Sequence, residues 1–207
     1  MPLGWVLALL VGVVVAGTMA IYHEVVDPLY HADRWTEVTP DRLYRSAAPP
    51  ALAVRAMMDE HGFDEVIKLT GDASYKLRHR KEYEAAEALG IEVHEIGMGG
   101  NGVAPPERYA DALERIDRAI REGRKTLVHC AAGTHRTGGV VAAYRMLMQG
   151  WPADAAFREM QAHNFSHTHN YELVPYLNEN LPVIARLLAE RGVLPRVPER
   201  IEKINPN

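Results

Sequence analysis

The sequence predicts an α/β domain in which helices flank a central, mainly parallel sheet, with a hydrophobic helix ahead of it at the N-terminus. Three observations predict this. Short strand-like runs at 41–46, 63–69, 91–96 and 125–129 alternate with helix-length amphipathic segments, the pattern of βαβ units. Gly62, Gly90, Gly123 and Gly150 stand where those segments should stop. The third is one strand–loop–helix unit: Lys125-Thr126-Leu127-Val128, then His129-Cys130-Ala131-Ala132-Gly133-Thr134-His135-Arg136-Thr137-Gly138, then an apolar helix from Gly139. That order puts the loop's amides at a helix N-terminus, which suits an anion.

Composition bounds the rest. The chain has 207 residues, 47% hydrophobic and 24% charged, with a formal net charge of −4. This is ordinary globular usage, enough for one domain with its own core plus an appendage. The mild acidity argues against a nucleic-acid partner, which wants a basic face. The single cysteine excludes an internal disulfide.

Residues 3–20 carry no charge, which meets the length expected of a membrane-spanning helix. No Lys or Arg precedes them, so a cleaved signal is the alternative to an uncleaved anchor. Segment 1–22 is thus read as a transmembrane anchor or signal segment. The expected location is the membrane, single-pass, with the remaining domain periplasmic or extracytoplasmic; cleavage would release it to the periplasm. Residues 23–40 follow no single period and read as a connector, with Trp35 packing on the domain.

Asp41–Ser46 is the first strand, ended by Pro49-Pro50. Ala51–His61 is a helix with Leu52, Val54, Ala56, Met57 and Met58 partly buried. Phe63–Leu69 is a strand. Lys76–Leu89 is an amphipathic helix whose charges, Arg78, His79, Arg80, Lys81, Glu82, Glu84 and Glu87, read as a solvated face. Ile91–Ile96 alternates as a half-exposed strand should. Gly97–Pro106 holds four glycines and two prolines and reads as a mobile loop. Helices follow at 107–122, from Gly139 to Gly150, at 151–161 and at 172–191. The tail, 192–207, reads as extended or loose.

The chemistry lies in 129–138. A thiolate is a nucleophile where a thiol is not, and curled amides, a helix N-terminus and Arg136 all favour the charged sulfur of Cys130. The same donors fit the outer oxygens of a phosphoryl group, and Arg136 can grip two of them with its planar fork. Thr137 can donate its hydroxyl to the sulfur as it departs. Ala131, Ala132, Gly133, Thr134 and His135 form the substrate-binding loop. An Arg and a hydroxyl residue at these fixed offsets arise by chance on the order of once in a hundred. The competing reading is a buried structural cysteine at a strand end.

His-Cys-x5-Arg-Thr-Gly resembles the signature of the cysteine-dependent protein tyrosine phosphatases, in particular their dual-specificity branch as found in bacteria. Asp41–Pro49 looks like the opening strand and turn of that domain, and Gln149-Gly150-Trp151 like the segment behind the signature. The resemblance covers 41–190, so 41–191 is expected to be a phosphatase domain. It implies the protein tyrosine phosphatase-like fold, phosphomonoester hydrolysis through a cysteinyl-phosphate, and neither metal nor cofactor.

The family draws its leaving-group proton from an aspartate on a loop about where Gly97–Pro106 lies, and this loop has no carboxylate. Asn101 stands near the expected place. Asp72, in a neighbouring strand's loop, is the candidate acid, against a plain turn aspartate. Glu107 and Asp111 are further candidates, and an enzyme with no acid is the third possibility, losing roughly a hundred- to ten-thousand-fold in rate. His129 is expected to be buried behind the nucleophile, and His135 to face the pocket rim. His163, His167 and His169 suggest metal by type but not by spacing, and packing is favoured. Positions 131–135 hold no Lys or Arg, which favours phosphotyrosine or phosphoserine/threonine proteins over inositides. Tyr75 is a possible aromatic wall. A phosphoinositide or small-molecule phosphatase and a catalytically weak phosphate-binding module remain alternatives. An arsenate-reducing or sulfur-transfer enzyme would want further cysteines.

Overall fold

A computed structural model describes residues 3–22, 30–71 and 76–206, and within the first helix the side chains at 4, 9–19 and 21. In chain order the elements are α1 (Leu3–Ile21), β1 (Thr36–Thr39), β2 (Leu43–Ala47), α2 (Val54–His61), β3 (Glu65–Lys68), α3 (Leu77–Leu89), β4 (Glu92–Glu95), α4 (Pro106–Arg121), β5 (Thr126–Cys130), α5 (His135–Met148), α6 (Ala153–Ala162) and α7 (Leu173–Glu190). The sheet order is β1-β2-β5-β3-β4. β5 pairs in parallel with β2 and β3, and β3 with β4, while β1 runs antiparallel to β2. The sheet is therefore mixed, its one antiparallel strand lying on an edge.

That edge strand corrects the connector expected at 23–40. Thr36–Thr39 pairs with β2, Trp35 stacks near Tyr44, His61 and Phe63, and Arg145 ties Val38 down through its carbonyl at 2.8 Å. Thr and Val favour a pleated edge, but four residues are too short to show a period.

Alternation along the strands divides the core. Val66 and Leu127 face α2 and α3, with Met57, Met58, Ala85 and Ala86. Ile67 and Val128 face α4 to α7, with Tyr109, Leu113, Val141 and Leu177. β5, buried at every position, sits between the layers and carries Cys130 at its C-terminal end. Parallel sheets covered on both faces place ligands at that end.

Three expectations change. Leu52 is 71% exposed and Ala56 is also exposed, because the helix begins at Val54. The α3 charges are not all solvated: Glu82 and His79 are buried. The tail is extended but not loose. Ile204 is in the core, exchanging two backbone hydrogen bonds with the Asn178 side chain at 2.8 and 2.7 Å.

The chain is helical over 3–21 as expected. Among the described residues no helix is long and apolar enough to cross a membrane.

Candidate active site

β5 delivers Cys130, residues 131–134 bend, and α5 begins at His135, so Arg136 and Thr137 lie in its first turn. The Gly133 N–H donates to Cys130 Sγ at 3.2 Å. Gly133 has φ +72°, and a Cβ there would lie 2.6 Å from the Ala47 nitrogen and 2.7 Å from the Ser46 carbonyl carbon. No other residue fits. The loop's backbone presses on the end of β2, and Ala48 N–H donates to the Ala131 carbonyl at 3.2 Å.

Burial pushes the Cys130 thiol up, yet its pKa lies below the ordinary 9.0. The Thr137 hydroxyl and N–H, the Arg136 charge and the Gly133 N–H outweigh the burial. The Thr137 hydroxyl is fully buried and meets no strict hydrogen-bond geometry, so it acts on the sulfur through proximity. The Nε of Arg136 is likewise buried without a partner, a donor left for a ligand to satisfy. Thr134 is buried, whereas Ala131 and Ala132 are exposed and form the rim. His135 turns its ring edge-on to Phe165 at 5.9 Å. Burial lowers its pKa against a bond with the Gly100 backbone, and Arg136 lowers it further, which favours neutral imidazole.

Behind the sulfur lies an ionic cluster that charge patterning alone misread as solvated. His129 Nε2 is 2.6 Å from Glu82 Oε1, and its Nδ1 is 3.3 Å from the Cys130 carbonyl. Glu82 Oε2 is 3.5 Å from Lys68 Nζ and 3.9 Å from His79 Nδ1. Lys68 also reaches Glu95 at 3.6 Å and donates to the Tyr83 hydroxyl at 3.0 Å. Burial works to lower the His129 pKa, but Glu82 overrides it and the value is raised. For Glu82 burial works upward, and His129 and Lys68 bring it below normal.

Arg45 is a second residue missed as functional. It is fully buried on β2, and Nη2 donates to the Gly133 carbonyl at 2.7 Å, while Nε and Nη1 have no partner. Burial lowers its pKa to about 10, which leaves it charged at neutral pH. The run Asp41-Arg42-Leu43-Tyr44-Arg45-Ser46 is polar at most positions, so nothing in it marks Arg45 as the buried one.

The loop at 97–106 is fastened by hydrogen bonds at several points. Gly102 N–H donates to Gly99 O at 2.9 Å, Tyr109 OH to Gly102 O at 2.7 Å, and Asn170 Nδ2 to Asn101 O at 2.6 Å. The Asn101 side chain accepts from Val103 N–H at 3.1 Å and donates to the Glu172 carboxylate. Glu172 is therefore a carboxylate joined to this loop from outside it, from a stretch with no local feature that pairs the two. Asp111 is taken by Arg191 at 2.9 Å. Asp72 and Tyr75 lie outside the described residues. The three histidines go separate ways. His163 Nδ1 donates to Glu159 O and its Nε2 meets Thr36 Oγ1, both at 2.8 Å, while His169 pairs with Ser166 at 2.9 Å. Among the described residues the His/carboxylate group with metal-like spacing is elsewhere, at Glu65, Glu92 and His94, and Arg124 bridges its carboxylates at 3.5 and 3.1 Å.

A thiol at the C-terminal end of a central strand, ringed by a loop that feeds a helix carrying Arg, defines the class of cysteine-dependent phosphatase folds. Residues 43–181 match the dual specificity phosphatase catalytic domain, and the chain belongs to that family. It is 45% identical over 53 residues to the dual specificity protein phosphatase TpbA of Pseudomonas aeruginosa, a match over 26% of this chain and 24% of that protein. The matched stretch thus spans about a quarter of that relative. The fold is similar to the catalytic core of the PP-IP phosphatase SIW14 from S. cerevisiae, solved with citrate (TM-score 0.61, 22% identity, 80% of this chain and 98% of that one). It is also similar to a P. aeruginosa TpbA variant in complex with pTyr (TM-score 0.57, 22% identity, 80% and 97%), and to Tk-PTP (TM-score 0.58, 26% identity, 72% and 95%).

Proposed function

We propose that the chain hydrolyses phosphomonoesters through a cysteinyl-phosphate intermediate. The observation that carries this reading is the buried Cys130 sulfur, held 3.2 Å from the Gly133 N–H with its pKa lowered despite burial. The thiolate attacks phosphorus, and the bond from phosphorus to the ester oxygen breaks. Arg136 and the amides of residues 131–136 hold the non-bridging oxygens through the transition state. Water then attacks phosphorus, the P–S bond breaks, the Thr137 hydroxyl donates to the departing sulfur, and inorganic phosphate leaves.

The departing ester oxygen needs a proton. Glu172, bound to the Asn101 side chain, is the candidate among the described residues, and Asp72 is the candidate from the sequence. Turnover of para-nitrophenyl phosphate by wild type and none by Cys130→Ser is the expected result. An inert wild type that still binds vanadate would replace the enzyme with a phosphate-binding module. Loss of the basic limb of the pH–rate profile in Glu172→Gln or Asp72→Asn identifies the acid.

Phosphotyrosine and phosphoserine/threonine proteins remain a substrate class to test beside small phosphomonoesters. We also propose that α1 anchors the chain to a membrane with the phosphatase domain outside the cytoplasm. The support is the uncharged run 3–20 and the exposure of Leu9, Leu10, Val11, Val13, Val14 and Val15. Fractionation of the full chain against a variant lacking residues 1–22 tests it: equal solubility refutes the anchor.

A further inference from the structure

The signature loop brings no cation of its own at 131–135, but its surroundings do. A cavity of about 320 Å³ opens beside the rim, lined by Arg34, Asp33, Ala47, Arg78, Ala131 and Ala132 among others. We propose that this cavity is a second anion subsite, and that the substrate carries a second phosphoryl group beside the one Cys130 attacks. This rests on the phosphatase reading above and names the substrate class for that same site.

Arg34 is placed there at a conformational cost. Its φ is +57°, a region few non-glycine residues adopt. The strained turn is pinned to the site at two points. Ala47 N–H donates to the Asp33 carbonyl at 2.7 Å, and Arg34 Nη1 donates to the Ala132 carbonyl at 2.8 Å. With that nitrogen committed to the loop, the Arg34 Nε is buried and has no partner. A buried, unpartnered guanidinium N–H on a residue that lines a cavity is a donor short of an acceptor.

Arg78 enters from α3, exposed and bearing on the same cavity. Fastening the loop does not explain it, since its contact is with the cavity and not with a loop carbonyl. Among the described residues lining the cavity one carboxylate opposes the pair: Asp33 Oδ2 lies 3.6 Å from Arg34 Nη1, with its side chain 65% exposed. Two guanidiniums against one solvated carboxylate leave a positive excess directly beside the phosphate cradle. The ground for disfavouring multiply phosphorylated substrates, a loop without cations, is thereby removed. The charge comes from β2's flank and from α3 instead of from the loop.

The test uses the full chain and a matched pair of soluble substrates, inositol 4-phosphate and inositol 4,5-bisphosphate, with para-nitrophenyl phosphate reporting the chemistry. Wild type should prefer the bisphosphate in kcat/KM. Arg78→Ala and Arg34→Gln should each lower the ratio of bisphosphate to monophosphate turnover about tenfold, the scale of one charge-assisted contact. Asp33→Asn should raise it. Equal losses on both substrates would mean that the arginines only hold the loop and would overturn the proposal. So would a wild-type ratio near one.

A phosphotyrosine peptide with acidic flanks serves as the third arm. If it loses the same factor in Arg78→Ala while the inositol ratio does not move, the cavity reads carboxylates, and the second phosphoryl group is refuted. If wild type turns over none of the substrates, the phosphatase reading fails separately. Calorimetric binding of inositol 4,5-bisphosphate to Cys130→Ser, weakened or not by Arg78→Ala, then decides the subsite.

Discussion

Replacing Glu82 with Gln removes one charge from the cluster behind Cys130 and keeps its shape. Glu82 is 1% exposed, and its neighbours His129 and Lys68 are fully buried. Breaking a buried pair by removing one partner costs about 3–5 kcal/mol. Two features here pull the figure to the low end. His129 can release its proton, and Lys68 keeps Glu95 at 3.6 Å. The expected loss is thus about 3 kcal/mol, or roughly 6–12 °C in Tm for a chain of this size.

The pH dependence carries a sign. The His129 pKa is raised in the folded chain, so its contribution is full below 6.5 and fades as pH rises through the raised value. The Glu82 pKa is lowered, so its contribution is full above 4.5 and fades as pH falls through the lowered value. Urea unfolding should therefore show the largest deficit of Glu82→Gln near pH 5.5, shrinking toward pH 9. Without the Glu82 carboxylate that raises its pKa, the variant's His129 should lose its proton at a lower pH than in wild type, leaving less positive charge behind the sulfur and raising the Cys130 thiol. The rate of alkylation by iodoacetamide against pH reads that shift. Wild-type stability at pH 5.5, or a deficit that grows with pH, would refute the argument.

Thr137→Val should move the Cys130 alkylation midpoint upward toward 9.0, because the hydroxyl and N–H of Thr137 lead the effects opposing burial; an unmoved midpoint would remove Thr137 from the sulfur's environment. Gly133→Ala should abolish aryl phosphate turnover and destabilise the domain by about 1–3 kcal/mol, since a Cβ meets the Ser46–Ala47 backbone; retained activity would mean the loop can rebuild. Ile204→Ala should lose about 2–4 kcal/mol by denaturant titration, the cost of emptying a buried isoleucine site; no loss would make the tail dispensable.

The alternation of strands and helices and the cradle followed from local signals. β5, Cys130, Arg136 and the glycines are close in sequence, and periodicity and spacing report on exactly such neighbours. What escaped is the set of contacts that closes over long separations. Glu82 and His129 sit 47 positions apart on different elements, and each alone looks like an ordinary surface or strand residue (the separation follows from their numbers). Arg45 meets Gly133 across β2 and β5, and Arg34 meets Ala132 from a segment read as a connector. Glu172 meets Asn101 only because α7 returns to the loop after β4. A one-dimensional pattern carries charge and period, but it does not say which buried cation finds which carboxylate.

The antiparallel edge has a mechanical meaning. Thr36, the first residue of β1, pairs with Arg45, at the end of β2 that touches the signature loop. Tension applied to the chain from its N-terminal side therefore arrives first at Arg45–Ala47, one bond away from Gly133. Load applied at the C-terminus is taken up at Asn178 on α7 instead. A tether, bead or fusion partner joined ahead of residue 36 would pull on the phosphate cradle itself, whereas one joined after Ile204 would pull on a helix remote from the signature in sequence.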